Sequence, residues 1–199
     1  LTQDVFYTCP SVSNIHCISI DTINNKIYWN ESFPNSNASK IMRSDLSNIN
    51  PELVLNISAS SVKNILVSRD TNLIFWADNE IYSNANGLET MVYQGQSNIN
   101  QMTIDDSNDY IYFIDGPYGI LGRIDFDGSN FTSLAFSSQW ISDMVIDELN
   151  QKIYILRYNN LVVSSYDIIT NQSTTIYVNS GSSGDPQSHI CIYNTHSNP

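Results

Sequence analysis

An all-β repeat fold is what this 199-residue sequence predicts, and three observations predict it. The first is a unit in which a short apolar segment ends in Asp and an aromatic-led pair begins at the seventh residue after it. It occurs as ISIDTINNKIYWNE (Ile18 to Glu31), LVSRDTNLIFWAD (Leu66 to Asp78), MTIDDSNDYIYFID (Met102 to Asp115) and MVIDELNQKIYILR (Met144 to Arg157). Aligned on the pair, the Asp position reads Asp21, Ser68, Asp105 and Asp147, at separations of 47, 37 and 42 residues. The second is that the segments behind each unit also repeat: KIMRSDLSN, EIYSNANGLETMV, GRIDFDGSNFTSL and VVSSYDIITNQSTTI. The third is that Asn, Ser and Gly interrupt every stretch that could hold a helical period.

A period of this size is that of one four-stranded propeller blade, roughly 40–50 residues. The expected fold is therefore a β-propeller of four-stranded antiparallel blades, with about four blades present. Met102 to Leu134 is the clearest copy. Met102 to Asp105 is a short apolar strand, Asp105 to Asp109 a polar turn, and Tyr110 to Ile114 an aromatic and β-branched strand. Gly122 to Phe126 alternates, breaks at Asp127-Gly128, and a further strand starts at Thr132. One such sheet cannot bury its faces alone, so the copies must stack on one another. The blades fall near 15–58, 62–95, 99–138 and 141–179, as one propeller segment, and 188–199 reads as the start of a fifth. Asp4 to Thr8 reads as an outer strand. The chain begins at Leu1 and reads as a segment of something longer. Tyr28, Trp29, Phe75, Trp76, Tyr112, Phe113, Tyr154 and Ile155 are expected between blades. Asp21, Asp105 and Asp147 are expected to accept backbone N–H groups of their own turns.

These residues resemble the YWTD repeat, the low-density-lipoprotein-receptor class B repeat. Its tetrad stands here as Tyr28-Trp29-Asn30-Glu31, Phe75-Trp76-Ala77-Asp78, Tyr112-Phe113-Ile114-Asp115 and Tyr154-Ile155-Leu156-Arg157. Its Leu-Asp-Gly-Ser-Asn turn is similar to Phe126-Asp127-Gly128-Ser129-Asn130. The other copies depart from that turn, and Arg157 replaces the tetrad acid in the fourth. The resemblance covers nearly the whole chain. It implies a six-bladed ring, part of which lies outside this chain, and a non-enzymatic, receptor-like or matrix protein on the cell surface or outside the cell. A closed four-bladed ring is the runner-up, and an unrelated all-β solenoid or sandwich, against which the periodic aromatic pair argues, is the other alternative.

The net charge is −12 and the isoelectric point about 4.2. Eight Lys and Arg cannot line a groove that tracks phosphates, which argues against nucleic acid and against anionic membrane. A basic protein, a peptide, a neutral glycan or a divalent cation stays compatible with the charge, which otherwise serves solubility. No run of 18 apolar residues is present, so no membrane insertion is expected of this segment. Cys9 and Cys17 could pair locally, leaving Cys191. N-glycosylation sequons occur at Asn30, Asn37, Asn56, Asn130 and Asn171. With 25 Asn and 39 Ser plus Thr in 199 residues, chance alone gives about five, so the sequons permit an extracellular setting without arguing for it.

In a propeller blade the chain runs down the first strand, turns after the Asp, and returns along the aromatic strand. The loops after the aromatic strand and the connections between blades then share the upper end, and the Asp turns lie at the lower end. Aromatic and charged residues at the upper end are the ligand-binding candidates: Phe33, Lys63, Asp115, Tyr118, Trp140, Arg157 and Tyr158. Packing between blades is the structural alternative for each.

No catalytic or metal motif is complete, and no cofactor is expected. GPYGILG (Gly116 to Gly122) has Gly-rich spacing but no helix behind it to present N–H groups to phosphate. DFDGSN (Asp125 to Asn130) fails as a calcium loop because Asn130 and Phe136 stand where Gly and Glu are needed. His16, His189 and His196 show no paired ligand spacing. Three functions compete: a non-enzymatic binding module, a propeller hydrolase resembling the gluconolactonases with a metal at the channel mouth, and a structural spacer. At the starts of the first strands the hydrolase reading finds His16, Lys63, Asn64, Asn100, Gln101 and Ser142, with no carboxylate among them.

Overall fold

The computed structural model describes residues 6–8, 13–33, 36–58, 62–116, 119–136, 141–157, 162–178 and 189–190. Sixteen strands are described, and they form four sheets of four. The first sheet holds β1 (Ile18–Asp21), β2 (Lys26–Ser32), β3 (Ser39–Asp45) and β4 (Glu52–Ile57). The second holds β5 (Asn64–Val67), β6 (Ile74–Ala77), β7 (Glu80–Ala85) and β8 (Leu88–Gln94). The third holds β9 (Ile99–Asp105), β10 (Tyr110–Asp115), β11 (Ile120–Asp125) and β12 (Thr132–Phe136). The fourth holds β13 (Ile141–Asp147), β14 (Lys152–Arg157), β15 (Val162–Asp167) and β16 (Gln172–Val178). Every sheet is an antiparallel meander in chain order. In all four, the third and fourth strands slip register at one equivalent place: Ile41/Met42, Ile81/Tyr82, Leu121/Gly122 and Val163/Ser164. A bulge repeated this way is a built feature that adds twist to the outer strand.

The expected outer strand at Asp4 to Thr8 is not formed by its described part. Phe6 and Tyr7 instead lie against the Trp29 ring, at 6.4 and 5.0 Å between centroids. The fifth-blade start at 188–199 lies outside the described residues except for His189 and Ile190. Cys9 and Cys191 also lie outside them. Cys17 carries a free thiol, donated toward Asn30 Oδ1 at 3.3 Å and Val62 O at 3.8 Å, so the local pairing with Cys9 is not made.

The chain divides into two compact units, Leu1–Gly95 and Gln96–Pro199. In the first, Tyr28 and Ile41 of one sheet meet Ile65, Ile74 and Trp76 of the next. In the second, Tyr112, Ile114 and Leu121 meet Met144, Ile153, Ile155 and Tyr166. The aromatic pair serves both faces of its sheet because successive strand residues point oppositely. Tyr28 and Tyr112 face the following sheet, while Trp76 and Ile155 face the preceding one. Tyr154, expected to be fully enclosed, is only half-buried. Gly122 is fixed by close approach: a Cβ there would sit 2.8 Å from the Phe113 ring and 3.0 Å from Phe131.

The Asp turns follow one plan. Asp21 Oδ1 accepts the amides of Ile23 and Asn24, and Oδ2 accepts the Asn24 side chain at 2.7 Å. Asp147 holds Asn150 the same way, by amide and side chain. Asp105 Oδ2 takes the Asn108 side chain at 2.9 Å. In the second sheet a hydroxyl pair replaces carboxylate and amide: Thr71 donates both its N–H and its Oγ1–H to Ser68 Oγ. The next residue is left-handed each time: Asn25, Asn72, Asp109 and Gln151, with φ between 51° and 58°. A left-handed residue after the clamp turns the chain back into the aromatic strand.

Candidate binding surface at the upper end

Each sheet has its own upper end, built from the last residues of its second strand, the first residues of its third, and the start of its first strand. β2 runs to Ser32 and β10 and β14 run through Asp115 and Arg157, so these positions are strand ends rather than loop residues. This changes what their side chains do.

Asp115 is buried, and both its oxygens are used. Oδ2 accepts the Gln96 amide at 2.8 Å and Oδ1 the Ser97 amide at 3.0 Å. It is a clamp on the segment leading into β9, not an exposed contact, and its place among the exposed ligand candidates is corrected. Arg157 is half-buried, its guanidinium donates to Ser164 Oγ, and burial lowers its pKa from the usual value. Phe33 is half-buried just beyond β2, with the Lys40 ammonium 5.1 Å above its ring. Lys63 is half-buried, its N–H donates to Ala77 O, and burial lowers its pKa while the Asp78 charge opposes the shift. Tyr118, Trp140 and Tyr158 lie outside the described residues.

Asn30 is withdrawn as a glycosylation candidate. It is fully buried, and its Oδ1 accepts the amides of His16 and Cys17 at 3.0 Å each. Its Nδ2, where a glycan would be attached, donates to Ser32 Oγ at 2.9 Å. Asn37, Asn56, Asn130 and Asn171 are exposed. Asn130 and Asn171 sit in left-handed turn positions, each with its side chain in a hydrogen bond.

Two further carboxylates, Glu31 and Asp143, stand at the upper ends of their own sheets. Glu31 is 2% exposed; its Oε1 accepts the Tyr7 hydroxyl at 2.6 Å and the Trp29 indole N–H at 3.3 Å. Asp143 lies at the start of β13, and its omission made that set look free of carboxylates. Counted back four residues from the turn position it aligns with Cys17, Asn64 and Gln101, which was the available signal. Asp143 Oδ1 accepts its neighbour Met144 N–H, and Oδ2 accepts Ile190 N–H at 2.9 Å with His189 Nδ1 at 3.3 Å. Gln101 at the matching place donates to Ser142 O at 2.7 Å, tying the starts of β9 and β13. Burial pushes the Cys17 thiol up to about 12, which removes it as a nucleophile at neutral pH. No group of three or more His, Cys, Asp or Glu among the described residues is arranged to hold a metal ion.

No family model matches this sequence, and no curated protein matches it. Solved structures match it in shape. A chain of the crystal structure of a nidogen/laminin complex superposes with a TM-score of 0.66 at 12% identity, covering 81% of this chain and 62% of that one. The GH74 enzyme of Niastella koreensis does so with a TM-score of 0.64 at 17% identity, covering 81% and 30%. An auxiliary nutrient binding protein from Bacteroides thetaiotaomicron gives 0.61 at 20% identity, covering 86% and 43%. The chain therefore spans less than two thirds of each, and at these identities the likeness is one of fold. With four antiparallel four-stranded meanders and no helix among the described residues, the chain is of the β-propeller class.

Proposed function

We propose that the chain is a non-enzymatic binding module of an extracellular, receptor-like or matrix protein, of the YWTD kind, and that it engages a protein or peptide through the upper end of its blades. The observation that carries this reading is how three of the upper-end carboxylates are spent. Asp115 and Asp143 hold backbone amides with both oxygens, Asp143 Oδ2 also facing His189 Nδ1, and Glu31 Oε1 holds a tyrosine hydroxyl and an indole. A carboxylate that keeps its oxygens in such bonds is a poor general base and a poor metal ligand. The similarity to a chain from a nidogen/laminin complex is in keeping with protein binding. The same resemblance supports the extracellular compartment, and a glycan on Asn37, Asn56, Asn130 or Asn171 is compatible with it. A glycan as ligand is the narrower variant.

The second reading is a hydrolase, favoured by a carboxylate, Asp143, at the start of a first strand and by a fold shared with an enzyme. A screen of secreted proteins and ectodomains against the immobilised chain separates the two. The double variant Phe33→Ala with Lys63→Ala should weaken a captured protein by about 2 kcal/mol or more if these are anchors. The lower-end control Thr22→Ala with Asn48→Ala should leave it unchanged. Divalent-metal-dependent hydrolysis of lactones by the wild-type chain, abolished in Asp143→Asn, would replace the binding reading with the hydrolase.

A further inference from the structure

The lower end of the second unit carries exposed apolar tips that its own repeat does not require. Leu149 and Ile169 are 77% and 76% exposed. Leu149 is the second residue after the turn Asp147, where the other sheets place Ile23, Asp70 and Ser107. Ile169 is the second residue after Asp167, where the third sheet places Asp127 after Asp125. The turns close equally well with polar residues there, since the stabilising bonds come from the carboxylate two residues earlier. Asp167 Oδ1 accepts the Ile169 and Thr170 amides without regard to the Ile169 side chain. Exposed apolar residues are ordinary, and the lower turns of the first two sheets expose Ile23, Ile49 and Leu88 as well; what sets the pair Leu149 and Ile169 apart is their acidic neighbourhood.

The two tips share one surface. Their turns join β13 to β14 and β15 to β16, at the same end of one sheet, about 10 Å apart for two strand spacings. The Ile168 amide donates to Gln151 O at 3.0 Å and locks one turn to the other. Ser107 Oγ donates to Glu148 Oε2 at 3.2 Å, joining the lower turn of the third sheet to that of the fourth. That neighbouring turn end is acidic: Asp109 and Asp127 are exposed, with Asp125, Glu148 and Asp167 half-exposed. Lys152 is the one Lys of the second unit.

We infer that the lower end of the second unit, Leu149 and Ile169 beside Asp109, Asp127 and Glu148, is a docking surface for a basic amphipathic segment of a partner protein. Leu149 and Ile169 meet its apolar stripe, and the carboxylates meet Lys or Arg flanking it. Charge complementarity selects this occupant: the whole chain is at −12, so a second copy and an anionic membrane are both repelled. The surface is at the opposite blade end from the proposed upper-end site and stands or falls separately from it.

The probe is a synthetic amphipathic Leu–Lys peptide, with a Leu–Glu peptide of the same pattern and phosphatidylcholine vesicles as the other arms. The 199-residue chain should bind the Leu–Lys peptide with salt-sensitive affinity and show neither of the other two. Leu149→Ser with Ile169→Asp installs residues the third sheet already uses, so folding is retained, and it should weaken the Leu–Lys peptide about tenfold or more. Asp109→Asn with Asp127→Asn should flatten the salt dependence. Unchanged binding in the Leu149 and Ile169 variant, equal binding of the Leu–Glu peptide, or vesicle binding of equal strength would each overturn the inference.

Discussion

At the scale of single residues, the chain repeats a hydrogen-bonding device more faithfully than it repeats letters. Asp–Asn in three turns and Ser–Thr in the other make the same bracket, because each pair supplies an acceptor at the strand end and a donor three residues on. The outer turns use the same chemistry in the open: Asp127 accepts the Ser129 amide, and Asp167 the amides of Ile169 and Thr170. Hydrogen bonds from Ser129 hold the Asp127 carboxyl below its ordinary value, and those from Thr170 first among several causes do so for Asp167. A carboxyl whose pKa falls on folding steadies its turn above the unfolded value of about 3.9 and loses that effect as pH falls through the lower folded value. Amide hydrogen exchange at Ser129 and Thr170, followed between about pH 5 and pH 2, should therefore show the two turns opening as acid is added. Protection that stays constant down to the lowest pH would mean that the backbone geometry alone holds these turns.

At the scale of the strand, burial separates the paired aromatics by direction. Trp76 is 1% exposed, stacks on Tyr82 at 5.7 Å, and reaches the cluster shared by the first two sheets. Trp76→Ala should cost about 3–5 kcal/mol, read as a lower denaturant midpoint, because rigid strands on both sides leave the cavity unfilled. A loss below about 1 kcal/mol would mean that the sheets collapse onto the space or that the ring is not shared between them. The strands and their turns were legible in the sequence because both depend on residues close in the chain: an acid, a left-handed residue four positions on, and an alternating pair. The upper-end side chains were not, because a difference of one or two residues in where a strand stops decides their role. β2 runs two residues past Asn30, which puts a nominal sequon inside the sheet. The register shift between Ile141 and Asp143 passes over Ser142, so a reading that stopped at Ser142 missed the carboxylate next to it.

At the scale of the whole molecule, two compact units follow each other in the chain, each with its own apolar cluster between two sheets. The passage from one to the next runs through Gly95 and Gln96, and the acid of the third tetrad secures its far side. Asp115 is 5% exposed and takes the Gln96 and Ser97 amides, while the neighbouring Gly116 donates its N–H to Asn98 O at 2.8 Å. Three residues of the connection, Gln96, Ser97 and Asn98, are thereby fixed to the end of β10 before β9 begins. Asp115→Ala leaves two amides without their acceptor, and hydrogen bonds to a charged group are worth about 1.5–3 kcal/mol each in context. The expected result is a destabilised second unit, with new protease cleavage between residues 95 and 98 and little change in the first unit's denaturation. Asp115→Asn keeps one acceptor oxygen and should fall between the two. If instead Asp115→Ala leaves cleavage and stability unchanged but abolishes binding of a captured partner, the carboxylate is a ligand contact after all, and the clamp is dispensable.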